Sequence, residues 1–132
     1  MAEFQSYKLE TPLKRVRGLG SARSGTDHFW RQRLTAVALV PLTLAFVVIV
    51  LKTVGGNYDQ VATTLSHPLP ALLILLFILA GIMHMRIGMQ VIIEDYAHTE
   101  ASKITLLVLN NFFSIALGLA CAFAVLKLSF GG

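Results

Sequence analysis

The chain has 132 residues, of which 55% are apolar and only 14% charged, and its 11 basic residues outnumber 7 acidic ones for a formal net charge of +4. A water-soluble domain carries about 25% charged residues, so this balance excludes an ordinary soluble globular fold. The single cysteine, Cys121, excludes a disulfide framework or a cysteine-ligated metal site built from this chain alone, and packing is its expected role.

The apolar residues gather into three runs without a charged side chain, Leu34–Leu51, Val61–Met83 and Ile104–Leu126. Each is long enough to cross a hydrocarbon core of about 30 Å at about 1.5 Å per residue. The expected fold is therefore an all-α membrane protein with three transmembrane helices. A polar segment over residues 1–33 precedes a membrane domain over 34–132, with spans near 34–54, 68–93 and 103–127.

The N-terminal segment holds Lys8, Lys14, Arg15, Arg17, Arg23, Arg31 and Arg33, together with the Gly- and Ser-rich stretch Gly18–Gly25. A basic segment abutting a span is a positive-inside signal or an anionic-lipid contact, so membrane lipid is an expected partner and nucleic acid is not. No short apolar core followed by a cleavage site opens the chain, and Glu3, Glu10 and Asp27 count against an organelle transit peptide. An uncleaved basic start favours a bacterial inner membrane over a mitochondrial one.

Pro41 predicts a local bend inside the first span, and Gly55-Gly56-Asn57 predicts a turn in the connection Lys52–Pro70. Pro68 and Pro70 mark the start of the second span. The return around Glu94–Lys103 brings Arg86 and Lys103 to the side of the N-terminus and leaves only Lys52 and Lys127 opposite, which predicts an N-in, C-out topology. In the third span, Asn110 and Asn111 are polar at membrane depth and are expected to hydrogen-bond to another helix.

The second span contains the chemistry-bearing run Gly81-Ile82-Met83-His84-Met85-Arg86-Ile87-Gly88-Met89-Gln90, which continues to Glu94-Asp95-Tyr96. His84 lies about 15 Å inside the end marked by Glu94, where an ionisable side chain faces a bundle interior or a cofactor. Gly81 and Gly88 fall within roughly 60° of His84 and Asp95 within roughly 20°, so one stripe runs from a buried imidazole to an interfacial carboxylate, with Tyr96 beside it. A neutral imidazole flanked by glycines suits an axial haem ligand with a macrocycle approaching the backbone. An interhelical hydrogen bond or a proton path are the other readings of such a histidine. His28, His67 and His98 lie nearer the helix ends, so a six-coordinate haem would need its second histidine from a partner. The Tyr96 hydroxyl is a suitable donor to a quinone carbonyl, and Asp95 could serve proton uptake. Arg86 points about 200° away from His84 and is expected to snorkel or to pair with a partner group.

His84, Gly88 and the Asp95-Tyr96 pair, with the block Gly25-Thr26-Asp27-His28-Phe29-Trp30-Arg31-Gln32-Arg33-Leu34-Thr35-Ala36, resemble the smaller hydrophobic membrane anchor of succinate dehydrogenase, respiratory complex II. The resemblance implies a chain that carries no catalytic chemistry alone but belongs to a succinate:ubiquinone oxidoreductase of the respiratory chain and tricarboxylic acid cycle. It implies haem b shared between His84 and a histidine of a second anchor subunit. It also implies a ubiquinone site at Tyr96 with Asp95, and a haem propionate near Arg33 and His28. A docked iron–sulfur subunit and a flavoprotein would hold the iron–sulfur clusters and FAD. Arg86 departs from the family's pattern, in which an aromatic residue is common near that position. The rival readings are the anchor of a quinol:fumarate reductase, a small transporter or channel subunit that uses His84 and Arg86 as relay or gate, and a structural scaffold.

Overall fold

The computed structural model describes residues 12–16 and 25–131. Residues 1–11, 17–24 and 132 lie outside the described residues, as do the side chains of Lys14 and Arg15; Lys8, Arg17, Arg23 and most of the Gly18–Gly25 stretch are among them. Regular structure among the described residues is helical: α1 (Pro12–Val16), α2 (Gly25–Thr53), α3 (Tyr58–Ser66), α4 (Pro68–Tyr96) and α5 (Glu100–Ser129). Three of these, α2, α4 and α5, are long and apolar enough to cross a membrane, in agreement with the three charge-free runs. The protein is a multi-pass membrane protein.

The first long helix begins at Gly25, well ahead of the apolar run that opens at Leu34, so Asp27, His28, Arg31 and Arg33 ride on its first turns. Nothing in the backbone requires a helix to start where the hydrocarbon starts. Asp27 in the first turn is favourably placed against the helix dipole, and the arginine stems can lie along apolar surface while their heads reach water. The helix runs through Pro41 without interruption.

Gly55 adopts a left-handed φ of +80° after α2, which lets the chain turn sharply there. The connection that follows is not all loop. The Asn57 side chain accepts a hydrogen bond from the Gln60 amide at 3.3 Å and caps α3, whose Leu65 is buried. Pro68, its amide donor unneeded in a first turn, starts α4, and Thr99 caps α5 by accepting from the Ser102 amide at 3.4 Å.

The three long helices form a layer with α4 in the middle. Phe46 of α2 stacks on Phe77 of α4 with ring centroids 4.6 Å apart, while Gln32, much earlier in α2, reaches His84, further along α4; the two helices are antiparallel. Likewise Asn110 of α5 bonds to Arg86 of α4, and Gly118 faces Ile82, which makes this pair antiparallel too. α2 and α5 do not pack on each other. One end of the layer therefore collects the start of α2, the end of α4 and the start of α5.

Such a layer has little interior. None of the central apolar stretch of α2 is buried, nor is more than 6% of that in α4 and 11% of that in α5. Long apolar side chains such as Val40, Leu44, Phe112, Leu119 and Phe123 project outward. Lipid tails are as apolar as these side chains, so exposure costs nothing in a bilayer, and the same faces are free to receive other helices.

Candidate functional site

His84 is half-buried at the seam between α2 and α4. Its Nδ1 lies 3.2 Å from Thr35 Oγ1, and its Nε2 lies 3.5 Å from Gln32 Nε2. The Thr35 hydroxyl has one proton, directed at the carbonyls of Arg31 (2.8 Å) and Gln32 (3.1 Å) one turn earlier in its own helix. With that proton on a carbonyl, Thr35 accepts from the imidazole, an arrangement that puts the imidazole proton on Nδ1 and leaves the lone pair on Nε2.

The Gln32 amide is the present neighbour of that lone pair, at the outer limit of a hydrogen bond, and its other atom, Oε1, is buried without a partner. The two glycines of the stripe face the same helix. A Cβ on Gly88 would stand 3.4 Å from Gln32 Nε2, and one on Gly81 would stand 3.9 Å from a methyl of Leu39. The strip beside the imidazole is thus open in α4 itself but has Gln32 and Leu39 of α2 across it. In the sequence Gln32 and Thr35 figured only within the block Gly25–Ala36 and were given no role, because nothing but a helical register between two separate spans connects them to His84.

The pair Asp95 and Tyr96 sits at the end of α4. Tyr96 is 77% exposed and, with Ile92, Ala97, His98, Thr99 and Ser102, lines a cavity of about 480 Å³ at the turn into α5. Asp95 is exposed and does not line it; His98 and Ser102 are the polar groups brought to the tyrosine. Ile93 and Leu106 border this cavity and also a second, mostly apolar one of about 320 Å³ that continues along the α4–α5 groove past Met89 and Phe113.

Arg33 and His28, five residues apart, point about 140° from each other on α2. The Arg33 guanidinium lies 5.0 Å over the Phe29 ring, whereas His28 shares a cavity with Arg31 and Arg86. Asn110 meets its expectation, donating to the Arg86 carbonyl at 3.0 Å, while Asn111 Oδ1 and the fully buried Ser114 hydroxyl have no partner within the described residues. No group of three metal-ligating side chains occurs among the described residues, so a metal held here would take fewer than three ligands from them.

Three antiparallel membrane-crossing helices with an imidazole at mid-span and a tyrosine at the end define a small multi-pass membrane subunit. Residues 8–121 match the family described as the succinate dehydrogenase/fumarate reductase transmembrane subunit. The chain is 33% identical over 121 residues to the succinate dehydrogenase hydrophobic membrane anchor subunit of Paracoccus denitrificans, covering 92% of this chain and 93% of that one. It is 29% identical over 110 residues to the corresponding subunit of Rickettsia bellii, covering 83% and 88%. It is 35% identical over 96 residues to the succinate dehydrogenase membrane anchor subunit of Reclinomonas americana, covering 70% and 80%. No solved structure gives a significant match. The chain belongs to the succinate dehydrogenase/fumarate reductase transmembrane subunit family.

Proposed function

We propose that the chain is the membrane anchor of a succinate:ubiquinone oxidoreductase, that it donates His84 as one axial ligand to a haem b shared with a second anchor subunit, and that it forms part of the ubiquinone site at Tyr96. The observation that carries the haem reading is the Thr35–His84 contact at 3.2 Å. A metal-bound histidine needs its free nitrogen unprotonated and its other N–H held by an acceptor, and Thr35 supplies that arrangement from within the chain. Bound there, a haem would supply a one-electron centre between the partner subunits and the quinone. Gln32 occupies the path to Nε2 with one weak contact and an orphaned oxygen, so turning its side chain aside sacrifices little. A second histidine ligand would come from the partner, because this chain brings one imidazole to that depth.

For the quinone, the cavity beside Tyr96 has the size of a small-molecule site. The tyrosine hydroxyl donates to a quinone carbonyl, and His98 and Ser102 are further groups able to hold or pass a proton. The adjoining apolar groove along Met89 and Phe113 suits a prenyl tail. Asp95, exposed at the same end, is available to relay protons from water. The N-in topology, the bacterial inner membrane and the docking of an iron–sulfur subunit and a flavoprotein at the basic end belong to the same reading; the largely unburied faces of the three helices are consistent with such partners.

The test is to purify the chain through a tag in mild detergent and to record a reduced-minus-oxidised visible spectrum. A b-type spectrum with a co-purifying flavoprotein is expected, and it should disappear with His84→Ala while the chain still inserts. A colourless, partner-free protein would overturn the anchor reading, and an unchanged spectrum in His84→Ala would remove His84 as the ligand.

A further inference from the structure

Between α2 and α4, nearer the helix ends than His84, lies a polar group of which the haem and quinone readings use only His28, expected near a haem propionate. His28 and Arg31 of α2 and Arg86 and Gln90 of α4, with Met83 and Ile87, line a cavity of about 90 Å³ to which no acidic residue contributes. Two arginines and a histidine share its lining. His28, Arg31 and Arg86 are exposed, and two arginines side by side at a membrane interface attract an anionic group. Among the described residues no carboxylate lines the cavity. Glu94, the next carboxylate along α4, accepts from the Gln90 amide at 2.8 Å and does not line the cavity. Arg86 meets α5 through its backbone carbonyl and also lines a cavity of about 230 Å³ against that helix.

We propose that this cavity binds the phosphate of an anionic membrane lipid. A cavity of this size accepts a phosphate group. Guanidinium groups present N–H donors in a fork that matches phosphate oxygens. The level fits a headgroup, because the uncharged stretch of α2 begins at Leu34, just past Arg31. Met83 and Ile87 then extend the site along α4 toward the hydrocarbon, and Met83 is exposed where an acyl chain would run. This assignment is separate from the haem ligand, since neither His84 nor Thr35 contributes to it, and it gives His28 to the lipid in place of the expected haem propionate.

The test is native mass spectrometry of the detergent-solubilised protein with its co-purifying subunits, in micelles doped with phosphatidylglycerol, phosphatidylcholine or inorganic phosphate. Retained phosphatidylglycerol is expected and retained phosphatidylcholine is not, and inorganic phosphate should fail to displace the bound lipid. Arg31→Gln and Arg86→Gln should each weaken retention about fivefold. Arg86→Lys, which preserves the charge if the glutamine variant does not assemble, should keep most of it, and Lys127→Gln at the opposite end should change nothing. Equal retention of the two lipids, undiminished retention in the double glutamine variant, or displacement by inorganic phosphate would overturn the proposal. So would a double variant that keeps its lipid but loses haem absorption, which would give the cavity to a haem carboxylate instead.

Discussion

Replacing Thr35 by Val keeps the shape and volume of the side chain and removes one acceptor. The hydroxyl's own bonds go to carbonyls of Arg31 and Gln32 that are already part of the α2 ladder, so their loss leaves α2 nearly as stable as before. What changes is His84, whose Nδ1–H loses its partner at 3.2 Å. An orphaned donor costs about 1–3 kcal/mol, and at a half-buried residue the lower part of that range applies. Loss of the outer partner of a metal-bound histidine typically costs about 10–100-fold in metal affinity, which is the same range expressed as an equilibrium constant. The expected outcome for Thr35→Val is a fall of about tenfold in haem retention, with a shifted haem potential in the fraction that remains. The assay is haem content per chain after detergent washing, together with a redox titration of the visible spectrum. Thr35→Ser, which keeps the oxygen, should restore both. Normal retention and an unaltered potential in Thr35→Val would refute the tautomer argument, whatever the role of His84.

Tyr96→Phe removes a donor at the cavity near the turn into α5 and should lower quinone reduction about fivefold to tenfold, while succinate oxidation with an artificial acceptor stays near normal; equal losses in the two assays would count against a quinone contact. Gln32→Ala should leave the haem spectrum in place or strengthen retention, since it deletes the side chain beside Nε2, and a loss of haem would make Gln32 a support of the site. Gly118→Leu should destabilise the α4–α5 pair by about 1–3 kcal/mol, because even a Cβ there would already touch Ile82 at 3.5 Å, whereas Gly118→Ala should be accepted; thermal unfolding in detergent reads both. Asn110→Leu removes the bond to the Arg86 carbonyl and should cost only about 0.6 kcal/mol, the usual worth of an interhelical hydrogen bond in a membrane, so a severe loss of assembly would reveal a partner contact at Asn110.

The three spans were legible because charge exclusion over a membrane-length run has one common physical cause, and each run supplied a spanning helix, although the second also takes in the end of α3 and the break at His67. Helix limits were less legible. The start of α2 at Gly25 follows from backbone hydrogen bonding, which continues past the hydrocarbon edge and leaves no mark in a hydropathy count. The short helix α3 was hidden in the connection, since nine residues give too few turns for a clear periodicity. His84 stood out because a histidine is costly at that depth. Its partners Gln32 and Thr35 did not, because their approach depends on the antiparallel register of two helices joined through a third. The same holds for the cavity shared by Arg31 and Arg86, and for His98 and Ser102 at the cavity beside Tyr96.

A layer of three helices with α2 and α5 apart cannot enclose a large cofactor. Nor can it shield a mid-span imidazole on every side, and His84 remains only half-buried although two side chains of α2 reach it. A bundle that had to stand alone would close α5 onto α2 and bury the polar seam, and a larger share of each span would then be interior. Instead the polar groups of α2 and α4 gather toward one end, and the longest apolar side chains face outward along the layer. The open geometry therefore favours a chain whose interior is completed by a neighbour, and it explains why a cofactor ligated here would draw its second ligand from that neighbour. Holding such a cofactor would then also hold the two subunits together, so loss of His84 should loosen assembly even where the cofactor takes no part in turnover.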